Sequence, residues 1–266
     1  MRVHRPRPSR RTGLTLSELV VVLVILAATA ALVIPRLGFM KDQSNMATGA
    51  AGAADVMSNL EQFKLTTGNY PQLMDSLIET GGTNVLSTLW FHPGASASDW
   101  ITVEDLAPGY LASLRHGFGR YPDSSGQFTV VDHDPSITPP GNSATQTLIR
   151  PVTGSSSSLA VVNTATSRGQ AIAQAAGYPT GVPPANVRLV ALGVGPMCEA
   201  VGRTMASAPL YSGVDHNVYN RFIAIFAVYN SNDRGYPAEL RAVIDSKYGD
   251  VGKNINQYRT IGRSRD

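Results

Sequence analysis

Cysteine is nearly absent from this chain of 266 residues, which contains a single one, Cys198. One cysteine excludes an internal disulfide framework and any zinc or iron–sulfur site built from several thiolates. Charged residues are also scarce, at 15%, whereas 43% of the residues are hydrophobic. That apolar fraction is sufficient for a core and excludes a wholly disordered chain. The 25 Gly and 17 Pro follow no repeat, which excludes a collagen-like or fibrous protein.

The positive charge of the chain is concentrated at its N-terminus. Five arginines and no acidic residue lie within the first thirteen positions, namely Arg2, Arg5, Arg7, Arg10 and Arg11. The whole chain has 22 basic and 19 acidic residues, so 17 basic residues face 19 acidic ones once this tail is set aside. The basic character therefore belongs to the tail and does not indicate a nucleic-acid-binding surface elsewhere.

The longest hydrophobic run extends from Leu14 to Ile34, and Glu18 is its only charged residue. A helix of this length spans roughly 32 Å, about the thickness of the hydrocarbon core of a bilayer. The run is too long for the apolar segment of a secretory signal peptide, which covers about 7–15 residues. The pattern therefore predicts a membrane anchor, and the arginines before it predict a cytoplasmic N-terminus.

Glu18 is the residue that a plain anchor does not explain. A carboxylate in the middle of an apolar span costs about 2.5–3.5 kcal/mol on insertion scales, and such residues are candidates for a functional role. A positive charge is its expected partner, and Arg10 and Arg11 precede it closely in the sequence.

The segment from Arg10 to Leu19 resembles the cleavage and methylation segment of type IV prepilins and type II secretion pseudopilins. In that family a membrane peptidase cuts after the glycine and the new N-terminal residue is N-methylated. The resemblance places the cut between Gly13 and Leu14, makes Glu18 the fifth mature residue and puts Pro35 at the family's proline position. The one departure is Leu14, where Phe or Met is commoner.

The resemblance implies a structural subunit of a type II secretion pseudopilus or a type IV pilus, with no enzymatic activity. Its implied partners are a prepilin peptidase that also methylates, other pilin or pseudopilin subunits and an inner-membrane assembly platform. It also implies a single-pass protein of the cytoplasmic membrane with an extracytoplasmic head that takes part in protein transport. The alternative is an exported binding or enzymatic domain that uses the same signal for sorting and anchoring.

The expected fold is α+β: a long N-terminal helix packed on a small antiparallel-sheet head with short helices and long loops. We divide the chain into a leader at 1–13, a transmembrane and assembly helix at 14–35, an amphipathic stem helix at 36–65 and a globular head at 66–266. Pro35 lacks an N–H group, so a kink or a melted turn is expected there.

The stem pattern predicts a packing face and an end to the helix. Ala53, Val56, Leu60 and Phe63 repeat at intervals of three and four residues, which is typical of a helix face that packs on a core. Turn-forming residues follow Leu65, so the helix is expected to end near it. Gly49 and Gly52 are interpreted either as sites of close helix–helix approach in a filament or as neutral positions.

Several short elements are expected in the head. Helices are predicted at Leu73–Ile78, from Thr102, at 168–176 and from Met197 to Met205, and strands at 128–131, 159–162, 188–194 and 221–229. Residues 238–245 fit a returning strand or a helix, and we favour a hairpin with Glu239, Arg241 and Asp245 facing outward.

No catalytic constellation is predicted from the residue pattern. Cys198 is interpreted as a small buried hydrophobe, and Asp132 and His133 as part of a solvated loop rather than a metal site. Some pseudopilin heads bind Ca²⁺ in a carboxy-terminal loop. The candidate oxygen ligands here are Asp215, Asn217, Asn232 and Asp233, with turn formation as the alternative role; no other cofactor is expected.

Overall fold

The computed structural model describes residues 16–80, 84–86, 89, 100–119, 128–133, 146–152, 158–210, 219–230 and 236–245, with the backbone alone at 30–47 and 146–148. The chain divides into two compact units, Met1–Asn45 and Met46–Asp266. The predicted leader at 1–13 lies outside the described residues.

The described residues form helices and strands in the following order. The helices are α1 (Leu16–Thr67), α2 (Pro108–Phe118) and α3 (Ser167–Ala175). The strands are β1 (Met74–Glu79), β2 (Ile101–Asp105), β3 (Phe128–His133), β4 (Gln146–Val152), β5 (Ser158–Val162), β6 (Val187–Gly193), β7 (Ile223–Tyr229) and β8 (Glu239–Ile244).

All the strands of the described residues belong to one sheet, and β6 is the strand where it divides. β7 pairs antiparallel with the whole of β6 on one edge, and β8 pairs with β7. β5 pairs with β6 at Val190 and β1 pairs with it at Gly193, so these two strands share the other edge. One branch then continues to β2, and the other continues through β3 to β4.

The predicted fold class is wrong. The described residues build a large sheet of eight strands rather than a small head. The sheet is also mixed rather than antiparallel, because β1 and β3 run parallel. A parallel pair requires a long crossover connection, and neither the crossover nor the direction of pairing leaves a periodic signal in a single strand.

The predicted transmembrane helix is contradicted as well. Within the described residues, no helix has both the length and the apolar character needed to cross a membrane. The prediction of a single-pass protein of the cytoplasmic membrane is therefore withdrawn.

The C-terminal part of α1 packs on the sheet through the predicted face. Ala53, Val56, Leu60 and Phe63 are all buried in one hydrophobic cluster. Gly52 faces the ring of Phe222, since a Cβ atom at this position would lie 2.6 Å from Phe222 Cζ. The close approach that the structure shows at Gly52 is therefore to a side chain of its own unit.

Helix α1 ends at Thr67, two residues beyond the predicted end. Gly68 has φ of +87°, a left-handed conformation that glycine adopts without steric cost. Its N–H donates to Lys64 O at 2.8 Å, which closes the last turn of the helix.

Tyr70 connects the end of α1 to strand β8. Its hydroxyl accepts hydrogen bonds from Leu240 N at 3.0 Å and Lys64 Nζ at 3.2 Å, and donates to Glu61 Oε1 at 2.8 Å. Its ring lies against Phe226 with centroids 5.0 Å apart. Burial, the largest cause, raises the pKa of Tyr70 well above its usual value, so the phenol remains protonated.

Three predicted helices are wrong. The segment from Leu73 to Ile78 lies mainly in β1, and both Leu73, which directly precedes the strand, and Leu77, which lies within it, have φ of 60°. Met74 to Ile78 are all buried, including the polar Asp75 and Ser76, so these polar residues do not mark a solvent-facing side of the element. The segment after Thr102 is strand β2, which pairs with β5 along its full length. Residues 197–205 form turns, with Gly202 at φ of +82°.

The other predicted elements are confirmed, with one error of orientation. Strands β3, β5, β6 and β7 and helix α3 lie where the patterns placed them, and residues 239–244 form the returning strand of a hairpin. Arg241 is exposed as predicted, but Asp245 is buried. Residues on both faces of β8 are buried, so the alternation of side chains along the strand does not tell which of them face solvent.

Candidate functional site

The N-terminal part of α1 carries an extended apolar surface that is interrupted only by Ser17, Glu18 and Thr29 among the described side chains. Nine large hydrophobic side chains between Leu16 and Leu26 are 48–83% exposed: Leu16, Leu19, Val20, Val21, Val22, Leu23, Val24, Ile25 and Leu26. Consecutive positions point around the whole circumference of a helix. A helix that is apolar on all sides is typical of one that is buried by several neighbours. We call this stretch, 16–29, the assembly segment.

Two polar side chains of the assembly segment are compatible with burial of its surface. Glu18 lies exposed in the first turn of α1, where the helix dipole favours a negative charge. The hydroxyl of Thr29 donates to the carbonyl oxygens of Ile25 at 3.0 Å and Leu26 at 2.9 Å. Because its hydrogen bonds are made within the helix, Thr29 does not require water.

The remaining residues of the predicted processing and assembly motif are only partly described. Gly13 and Leu14 lie outside the described residues. Pro35 lies within α1, which continues through it without a break, so no turn is melted there. The kink at Pro35 stays a prediction.

The calcium prediction is not tested by the described residues. Asp215, Asn217, Asn232 and Asp233 all lie outside them. Within the described ranges, no three His, Cys, Asp or Glu side chains are grouped so that they could hold a metal ion.

Cys198 is a buried free thiol, as predicted. Burial raises its pKa to about 12. Since only the thiolate is an effective nucleophile, the side chain is inert at neutral pH and serves as part of the core.

A buried polar cluster lies where β1 meets β3 and β6, and the residue pattern did not predict it. Tyr219 donates its hydroxyl proton to Asp75 Oδ2 at 2.7 Å, and His133 Nε2 lies 3.5 Å from the same oxygen. The rings of His133 and Tyr219 are perpendicular, with centroids 5.7 Å apart. Burial, followed by the charge of Asp75, raises the pKa of Tyr219 and keeps its phenol a donor.

Two glycines make room for this cluster. The carboxylate of Asp75 lies directly over Gly195, and the hydroxyl of Tyr219 lies over Gly193. A Cβ atom at either glycine would collide with these polar groups. The sequence Gly193-Val194-Gly195 is therefore part of the cluster, although glycine carries no chemistry of its own.

A second set of hydrogen bonds extends the cluster along β1 and β3. Ser76 donates to Asp132 Oδ1 at 2.6 Å, and Arg150 Nε donates to Asp132 Oδ2 at 3.0 Å. Arg150 Nη2 also donates to Ser158 O at 2.9 Å, which ties β4 to β5. These bonds cross-link four strands around the point where the sheet divides.

The cluster corrects the interpretation of Asp132 and His133 as a solvated loop. Both residues belong to β3 and are buried, as are Asp75 and Ser76. The signal that could have revealed them is the strand-forming sequence Phe128–Val131, which leads into them without a turn residue. Because Asp75 and Asp132 are fully buried and hydrogen-bonded, the cluster cross-links the strands of the sheet.

No family model, curated protein or solved structure matches this chain. Its function is therefore argued from its own residues.

Proposed function

We propose that this chain is a structural subunit of a filament of the type II pseudopilus or type IV pilus kind, assembled through its N-terminal helix after a prepilin peptidase removes residues 1–13. The observation that carries the proposal is the assembly segment, a helix surface that is apolar around its whole circumference and exposed in the single chain.

The energetics of the assembly segment support association. Burial of one Val, Leu or Ile side chain contributes about 1.5–3 kcal/mol. Nine such side chains are exposed in this segment. A filament in which neighbouring copies cover them is therefore favoured by a large hydrophobic free energy over a single chain that leaves them in water. The internally bonded hydroxyl of Thr29 adds no desolvation penalty to that packing.

The order of the motif residues supports the same assignment. The Gly13–Leu14 junction immediately precedes the assembly segment, and Glu18 is its only charged residue. A mature chain cut at this junction would begin two residues before the helix of the structure. The proposed partners are the peptidase that cuts and methylates, further subunits of the same kind and an assembly platform.

A pair of matched substitutions tests this proposal. Val24→Asp introduces a charge into the assembly segment, whereas Leu65→Asp introduces the same charge at an exposed position near the end of α1. We expect Val24→Asp to abolish filaments and Leu65→Asp to retain them, because only the former leaves an unpaired carboxylate in an apolar helix bundle. Filament yield is measured by electron microscopy of the native cell beside immunoblots of the mature protein.

Processing provides the independent readout. Mass spectrometry of the N-terminus is expected to show a chain that starts at Leu14, and Gly13→Asp is expected to block the cut. Filaments that persist in Val24→Asp, or an intact Met1 in cells with an active prepilin peptidase, would contradict the proposal.

A further inference from the structure

A groove of about 360 Å³ lies between β5 and β6. The two strands are paired at Val161 and Val190. Beyond this point the chain follows β2 instead, because Asn163 N donates to Trp100 O at 2.7 Å, and it then turns toward α3. The space that opens beside β6 is lined by β2, by residues 161–165 and by residues 182–189. Its size is within the range of small-ligand sites.

Arg188 is held in this groove by four contacts. Its Nε donates to Glu104 Oε1 at 3.1 Å, and its Nη1 lies 3.3 Å from the carbonyl oxygens of Ala185 and Val187. The guanidinium also stacks over Tyr110, 5.4 Å from the ring centroid. A side chain fixed in this way loses little further entropy when it binds a ligand.

The ion pair between Arg188 and Glu104 leaves one hydrogen-bond donor group and one acceptor atom exposed in the groove. Within the part of the chain that the structure describes, Arg188 Nη2 and Glu104 Oε2 have no hydrogen-bond partner. The two side chains are 36% and 39% exposed, so both remain accessible. Val182, Pro183 and Leu189 supply an apolar wall beside them. The groove thus presents a donor and an acceptor side by side, with no net charge.

A peptide main chain matches this arrangement. Each peptide unit carries one N–H donor and one C=O acceptor, which suit the carboxylate oxygen of Glu104 and the guanidinium of Arg188. An extended segment also alternates its side chains, so that one of them can lie against Val182. An anion would be attracted by Arg188 but repelled by Glu104, and the paired charges therefore favour a neutral ligand.

We propose that this groove binds a short extended segment of a partner protein through its main chain. The peptide carbonyl accepts from Arg188 Nη2, the peptide N–H donates to Glu104 Oε2, and an apolar side chain of the segment packs on Val182. The inference is independent of the filament proposal, because the groove shares no residue with the assembly segment.

The test uses the purified full chain in mild detergent and a mixture of capped tetrapeptides, N-acetylated and C-amidated, without charged side chains. We expect saturable shifts in the NMR amide signals of residues 163–165 and 185–189. Val182→Trp fills the groove and Arg188→Gln removes the Nη2 donors, so each is expected to weaken binding at least tenfold.

Two control variants reproduce these changes outside the groove. Leu210→Trp places the same large ring at another exposed apolar position. Arg241→Gln breaks the ion pair between Arg241 and Glu239. These two side chains are 39% and 45% exposed, so the pair is about as accessible to solvent as the pair of Arg188 and Glu104. Both controls are expected to bind the peptides as the unaltered chain does.

Four results would each overturn the inference. One is the absence of saturable shifts at millimolar peptide. Another is binding that Val182→Trp and Arg188→Gln leave unchanged, and a third is binding that the two controls weaken equally. The fourth is an equal response to inorganic phosphate, which would identify an anion site instead. None of these results depends on residues 16–29. A failure of this inference would therefore leave the filament proposal unaffected, and the reverse also holds.

Discussion

At the scale of single residues, this chain buries polar groups where their hydrogen bonds connect distant parts of the sequence. Tyr70 joins the end of α1 to β8, and Asp75 is reached by both Tyr219 and His133. A buried donor or acceptor that loses its partner costs about 1–3 kcal/mol. The identity of these residues is therefore constrained by partners far away in the sequence, up to 170 positions for Tyr70 and Leu240.

Tyr70→Phe is expected to lower the free energy of unfolding by about 1–3 kcal/mol, because the backbone N–H of Leu240 would lose its acceptor in the core. Urea denaturation of the purified protein measures the change. Tyr236→Phe is the control, since Tyr236 is exposed and its change should stay within about 0.5 kcal/mol. Equal effects of the two substitutions would refute the role of Tyr70.

At the scale of elements, α1 changes character along its length. Apart from Ser17, Glu18 and Thr29, the described side chains of its first part are apolar and point to every side. Farther on, a single buried stripe is formed by Ala53, Val56, Leu60 and Phe63. The second pattern is that of a helix packed on one surface. Gly52 lies beside this stripe and admits the ring of Phe222.

The substitution Gly52→Ala shows whether Gly52 is packed against Phe222 or is a neutral position, because the sign of the change in the free energy of unfolding differs between the two cases. In an exposed helix interior the change would stabilise the protein by about 1 kcal/mol. Against Phe222 it overpacks the core, so a loss of about 1–3 kcal/mol is expected in urea denaturation. Phe222→Leu in the same chain should recover part of that loss. Stabilisation by Gly52→Ala alone would disprove the contact.

At the scale of the whole molecule, the proposed filament brings a few charges into an apolar helix bundle. If the chain is cut before Leu14, the new α-amine has a pKa of about 8 and is largely cationic at neutral pH. In the proposed filament, Glu18 of one subunit pairs with this amine of a neighbour. Each charge would be costly in an apolar bundle without the other.

Glu18→Ala is therefore expected to prevent filament formation, because the unpaired amine costs several kcal/mol at every subunit. Glu18→Asp shortens the side chain by one methylene and should impair assembly less. Leader cleavage should persist in both variants, which immunoblots of the mature protein would verify. Electron microscopy gives the filament yield, and normal filaments from Glu18→Ala would exclude a role for the carboxylate in assembly.

The elements that could be predicted from sequence are those with a strong local signal. The stripe of α1, the terminating Gly68 and strands β6 and β7 follow from periodicity and from backbone preferences. β1 could not be predicted in this way, since its polar residues Asp75 and Ser76 are buried and Leu77 within it has a left-handed backbone. The groove beside β6 could not be predicted from the sequence either, because it forms where the chain leaves β6 after Val162, the last residue of β5.

The sequence by itself determined where the long helix ends, which of its faces packs on the core and which segments form the central strands. These properties depend on hydrophobic periodicity and on backbone preferences, both of which involve residues only a few positions apart in the chain. Only the tertiary structure decided that β1 and β3 pair in parallel, that Asp132 and His133 are buried, and that Arg188 and Glu104 line one groove. Each of these depends on contacts between segments far apart in sequence, whose energies no local pattern contains.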